Sequence, residues 1–200
     1  MNAIIKYILN MIPYMLISLP IIVIVRYIRV RAMHKHLLRT SIHHEIGIIL
    51  FVVFLIGLAS QTIIPKIEFG NTNQFIVGYG MGSINLIPFK VIIETYTAVF
   101  VDRYFNYFLI NFIGNIVMFM PIGFFAPLLW ENISFKKTVV IGLLSSLFIE
   151  ICQLPQARGT DIDDIWINTL GCILGFGVYI ILKKCIPLFV QKFKVVNQTK

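Results

Sequence analysis

The chain has 200 residues, of which 58% are hydrophobic and only 13% charged, with a mean hydropathy of +0.87. An ordinary soluble chain is about 25% charged, so a water-facing globule is excluded and lipid is the solvent expected for most of the exterior. The net charge of +8 does not point to nucleic acid, because most basic residues flank apolar runs, where they orient helices and meet anionic headgroups.

Five segments qualify as crossings, near 4–25, 45–64, 107–129, 138–154 and 162–182, each close to the about 20 apolar residues that a span needs. The first reads as a retained helix rather than a cleaved leader: its basic region holds only Lys6, its apolar run is too long, and no A-x-A site follows. Pro13, Pro20, Pro121 and Pro127 fall inside spans, where neighbours that satisfy the freed carbonyls allow kinks. Between the second and third spans, EFGNTNQFIVGYGMGS (68–83) is rich in Gly and Asn and reads as a loop. After it, Phe89, Ile92, Ile93, Tyr96, Val99 and Phe100 share one helical face, away from Lys90, Glu94, Thr97 and Asp102. That pattern predicts an amphipathic helix lying in the interface. Cys152, Cys172 and Cys185 have no metal-site or disulfide spacing and read as free thiols.

Alternating the sides of five crossings gathers Arg26, Arg29, Arg31, Lys35, Arg39, Lys136, Lys137, Lys183, Lys184, Lys192, Lys194 and Lys200 on one side. The other side keeps Lys6, Lys66, Lys90, Arg103 and Arg158. Positive charge marks the cytoplasmic side, so the N-terminus is expected outside and the C-terminus in the cytoplasm. The expected class is an all-α membrane protein of about five transmembrane helices plus an amphipathic interfacial helix on the outer side. Three units follow: 1–64, two helices and a basic cytoplasmic loop; 65–182, a three-helix core with outer loop and interfacial helix; 183–200, a basic cytoplasmic tail.

The polar residues of the last three spans share one depth. Asn111 and Asn115 lie four apart in the outer half of the third span, Glu150 and Gln153 three apart at the outer end of the fourth. Asp161, Asp164 and Asn168 form one stripe at the start of the fifth, with Asp163 pointing away. At about 1.5 Å per residue, Asn168 sits about 6 Å deeper than Asp164, so three helices bring acidic and amide groups to the outer leaflet. An ionisable group in mid-span costs about 2.5–3.5 kcal/mol, and Arg158, in the connecting turn, is the cation nearest in sequence. A structural account competes: asparagine and glutamine as interhelical glue, with Thr160 or Asp161 capping the fifth span.

Such a group suits acid–base work by paired carboxylates, with Arg158 able to grip a phosphate. The spacing names no metal site, and the cofactor is left unknown. No Ser-His or Cys-His pairing offers a nucleophile, since His34, His36, His43 and His44 belong to the inner loop. The inner halves of the spans are too apolar to line a channel.

At NLIPF (85–89), NFIGNIVMFMPIG (111–123), IEICQ (149–153) and RGTDIDDIWINTLG (158–171) the chain resembles the VanZ-like family of membrane proteins. The resemblance covers roughly residues 83–182. It implies a multi-pass bacterial plasma-membrane protein associated with resistance to the glycopeptide teicoplanin, without rewriting of cell-wall precursors. Carried over, the motif positions are Asn85, Asn111, Asn115, Glu150, Gln153, Arg158, Asp161, Asp164, Asn168 and Gly171. Two functions are expected to compete. One is a membrane enzyme acting on a lipid or lipid-linked cell-wall precursor, with Glu150, Asp164 and Asp161 catalytic and Arg158, Gln153, Asn168, Asn115, Asn111 and Asn85 binding substrate. The other is a non-catalytic protein that binds a glycopeptide or shields its target, in which Tyr96, Phe100, Tyr104 and Trp166 matter more. The partners expected are the lipid bilayer and one of those ligands.

Overall fold

The structure, a computed structural model, describes residues 3–35, 38–65, 67–69, 75–78, 80, 82–156 and 159–197. Helix α1 (Ala3–Lys35) is followed by a short strand β1 (Leu38–Arg39) and α2 (Ile42–Thr62). Strands β2 (Ile67–Phe69), β3 (Phe75–Val77) and β4 (Ile84–Asn85) lead to α3 (Lys90–Tyr96), a π turn at Thr97–Val101 and α4 (Phe105–Phe108). A second π turn, Leu109–Gly114, runs straight into α5 (Asn115–Leu129). Then come α6 (Phe135–Gln153), β5 (Thr160–Asp161), α7 (Ile162–Cys185), α8 (Pro187–Gln191) and β6 (Val196–Asn197).

The chain is an all-α membrane protein. Among the described residues, four helical stretches are long and apolar enough to cross a bilayer: Ile8–Met33, Ile42–Thr62, Leu109–Leu129 and Ile162–Cys185. The fourth expected span is the 19-residue α6, so short that Lys136, Lys137 and Glu150 all fall within one bilayer-length stretch. The expected amphipathic helix is α3 with its π turn. Val91 and Ala98 are buried beneath it, while Ile92, Ile93, Tyr96 and Phe100 are exposed and Lys90 pairs with Glu94 at 3.0 Å. One expectation gives way: part of the 68–83 loop is a hairpin, β2 and β3 pairing antiparallel with Ile67 opposite Val77 and Phe69 opposite Phe75. Its strands, IEF and FIV, are the β-branched and aromatic islands in that polar stretch.

Bundle assembly centres on α5 and α7. Gly171 and Gly175 form a small-xxx-small pair on α7, and Gly123 answers from α5. A Cβ at Gly123 would collide with the Cys172 carbonyl, at Gly171 with the Ile116 carbonyl, and at Gly175 with the Met120 carbonyl. Because lipid removes most of the hydrophobic drive between helices, such backbone approach is what van der Waals association requires. Helix α6 joins through Gly142, whose missing Cβ leaves room for Cys172 and the Thr169 backbone. Helix α2 adds Ile48, Phe51 and Leu58 to a core with Phe119, Ile122, Leu129 and Ile149.

The tail closes one end of the bundle. Ser41 caps α2 by accepting from His44 N at 3.1 Å, and its hydroxyl donates to the Lys192 carbonyl. His44 Nδ1 lies 2.6 Å from the Phe193 carbonyl and is buried rather than interfacial. Lys194 Nζ donates to the Pro127 carbonyl at 2.6 Å, covering an end carbonyl of α5. Burial pushes the Lys194 ammonium below its ordinary 10.5, with Lys183 pushing the same way and Glu131 opposing.

Candidate functional site

The opposite end of the bundle is organised by the start of α7. Asp161 is its N-cap: the side chain accepts from Asp163 N at 2.9 Å, which satisfies one of the four free donors of a helix start. The same oxygen accepts from Asn85 Nδ2 at 2.9 Å. That bond sits on a parallel pairing of β4 with β5, Ile84 opposite Thr160 and Asn85 opposite Asp161. The Asp161 backbone N–H donates to Glu150 Oε2 at 3.0 Å. In a capping box the N3 residue of the same helix would take that donor; here a carboxylate from α6 does so.

Deeper, Asn115 Nδ2 donates to Asp164 Oδ1 at 2.7 Å and to the Asn111 carbonyl at 3.0 Å. The Asn111 carbonyl belongs to the π turn, and the Asn115 backbone N–H goes to Phe112 instead. A side-chain amide thus meets a carbonyl inside the π turn, a distortion frequent at functional sites. Ser146 Oγ on α6, fully buried, donates to the Asp164 carbonyl at 3.2 Å and accepts from Asn168 Nδ2 at 2.9 Å. The other half of that amide, Asn168 Oδ1, is buried and has no hydrogen-bond partner among the described residues. An orphaned buried acceptor is costly and rare in a native fold.

Side chains of Asn85, Asn115, Glu150, Asp161, Asp164 and Asn168 are thus brought to one end of the bundle, linked through α5, α6, α7 and β4. Asn111 takes part through its carbonyl. Gln153 turns elsewhere, its amide donating to the Thr62 carbonyl at the end of α2, 3.1 Å away. Arg158 lies outside the described residues. Among the described residues, no three His, Cys, Asp or Glu side chains converge where they could hold a metal ion.

Three residues escaped the sequence reading. Ser146 lies four residues before Glu150, hence on the same face of α6, and that spacing could have found it. Gln156 is buried, its amide donating to the Ile63 carbonyl at 2.7 Å and the Cys152 carbonyl at 2.9 Å. Asp163 is fully buried and accepts from Phe89 N at 2.6 Å, Val91 N at 2.8 Å and the Trp166 indole at 2.8 Å. It clamps the start of α3 over the site and holds Phe89 at φ 64°, a left-handed conformation rare outside Gly, Asn and Asp. Trp166 therefore contributes its polar edge to this clamp, while its ring meets Phe89 and Phe112 at centroid distances of 5.9 and 6.0 Å.

The site residues fall within residues 47–183, the stretch that matches the family model described as VanZ/LLP1. The chain is also 31% identical over 131 residues to Protein VanZ of Enterococcus faecium, covering 65% of this chain and 69% of that protein. No solved structure matches. With more than half of its length inside the family model, this chain belongs to the VanZ/LLP1 family.

Proposed function

We propose that this protein is a membrane enzyme acting at the outer leaflet on the headgroup of a lipid or lipid-linked cell-wall precursor, and that its cellular role is glycopeptide resistance of the teicoplanin type. Glu150 and Asp164 exchange a proton with the substrate as general base and acid, and Asp161 orders both through the α7 cap. Arg158, in the α6–α7 connection, grips a phosphate with its guanidinium fork. Asn85, Asn111, Asn115 and Asn168 orient the polar group of the substrate, with Gln153 holding α2 beside the site. The observation that carries the reading is the excess of acceptors at a buried location. Two carboxylates meet a set of amides there, and Asn168 Oδ1 still lacks a donor that a substrate hydroxyl or amine would supply. Family membership supports the resistance role.

The test is incubation of the full-length protein with phospholipid and with lipid-linked precursor, weighing the products, alongside Glu150→Gln and Asp164→Asn. Both variants keep the shape of the side chain and remove its proton exchange, so turnover should fall about 10²–10⁴-fold while insertion stays normal. Persistence of product or of resistance in both variants would refute acid–base chemistry. It would favour a second reading, a binding or shielding protein, for which the exposed aromatic rim of Tyr96, Phe100 and Tyr104 speaks. In that case resistance follows protein abundance and the rim, not the carboxylates.

A further inference from the structure

Beside the polar cluster, between α2 and α6, lies a groove of about 210 Å³. Ala59 and Thr62 line it from α2, Ser145, Phe148 and Ile149 from α6, and Ile122 of α5 forms its floor. Its two hydroxyl-bearing residues add little polarity, since the Thr62 hydroxyl is already spent on the Leu58 carbonyl at 2.9 Å. The wall helix α2 and the stretch Leu109–Leu129 that carries the floor are both apolar and long enough to cross a bilayer, so the medium at that depth is hydrocarbon. At the site end, Gln153 and Gln156 on the α6 side hold the Thr62 and Ile63 carbonyls of α2 at 3.1 and 2.7 Å. These are end carbonyls of α2, which need partners from outside their own helix. The two bonds fix the spacing of α2 and α6, and the gap beneath them is preformed. A helix is about 10 Å across and does not fit such a volume; a single acyl chain does. Ile149 lines the groove and Glu150, the next residue, reaches the polar cluster.

We infer that the groove seats an acyl chain of the molecule whose headgroup meets the polar cluster, making the substrate a bilayer lipid that enters sideways. The inference rests on the enzymatic reading above and narrows its substrate class. To test it, the full-length protein is placed in phosphatidylglycerol–phosphatidylethanolamine vesicles doped with a phosphatidylglycerol bearing a mid-chain diazirine. After illumination, adducts are mapped by mass spectrometry. Peptides carrying Ala59 and Phe148 should be labelled several-fold more than those carrying Leu16 and Ile17 of α1, which are more than 60% exposed but line no groove. Ala59→Phe, or Ser145→Phe from the opposite wall, should lower groove labelling several-fold and leave α1 labelling unchanged, with the melting temperature checking that each variant folds. Groove labelling no higher than on α1, or insensitive to both substitutions, overturns the inference, as does a cross-link to another polypeptide in place of lipid. Glu150→Gln separates the two readings. Normal groove labelling with unaltered turnover refutes the acid–base role alone, whereas lost turnover without groove labelling in the parent chain refutes the acyl site alone.

Discussion

Two helix pairs in this bundle are joined by different physics. Helices α5 and α7 meet backbone to backbone, with Gly123, Gly171 and Gly175 each facing a carbonyl of the other helix. Helices α1 and α2 meet through side chains. A Cβ at Gly57 would come within 2.8 and 3.1 Å of the side chains of Met11 and Met15, and Arg26 reaches Glu45 with two bonds of 2.9 and 3.0 Å. Among the described residues of α1, Met11 and Ile22 are the buried apolar ones. The first pair cannot be moved without moving main chain, and its helices carry Asn115, Asp164 and Asn168. The second is adaptable, and α1 lies outside the stretch shared with the family. The difference teaches that rigidity is concentrated where polar groups must stay in register.

The largest contrast should come from alanine at the two kinds of glycine. Gly175→Ala drives a methyl into the Met120 carbonyl, which neither helix can yield, and should cost about 3 kcal/mol or more. Gly57→Ala meets flexible methionine ends and gains helix propensity, so its net effect should stay within about 1 kcal/mol. Thermal unfolding in detergent micelles measures both, and equal losses would erase the distinction. Next in size, Arg26→Met removes a two-pronged charge-assisted contact whose side chains are 14% and 15% exposed. It should cost about 1.5 kcal/mol and raise protease access to α1, leaving the polar end intact. The smallest effect concerns the tail. Since burial lowers the Lys194 pKa in the folded state, the folded chain releases that proton before the unfolded chain does. Stability should therefore rise with pH between the folded value and the ordinary 10.5. Lys194→Met should flatten that rise in melting temperature, and an unchanged slope would show that the tail lysine is not buried in solution.

Much of this arrangement was legible in the residues because two periodicities carry it. Apolar length located the helices, and i, i+4 spacing put Asn111 with Asn115, and Asp164 with Asn168, on single faces. The partners were harder. Nothing local distinguishes Gln153 from Glu150, three residues away on nearly the same face, yet one amide goes to α2 and the carboxylate goes to the α7 cap. Which neighbour each meets depends on how α2 leans against α6, a property of the assembled bundle. Asp163 leaves the polar stripe; its two backbone donors come from residues more than seventy positions earlier, and no window of sequence holds both. The tail reads as basic from its composition, which cannot reveal that its Phe193 carbonyl meets His44 or that Lys194 meets the Pro127 carbonyl. The small strands of the 68–83 stretch were hidden by the glycines and asparagines around them.

The clamp formed by Asp163 has a consequence for biogenesis. Its carboxylate holds amides of Phe89 and Val91, and β4 leans on β5, so the segment after residue 83 lacks these two anchors until the chain has grown past residue 163. A ribosome-bound nascent chain ending near residue 150 would already hold α1, α2, α5 and most of α6, with the roof over the acids still unlatched. Closure is thereby deferred to the insertion of α7, and nascent chains stalled before that point should remain open to protease around Phe89.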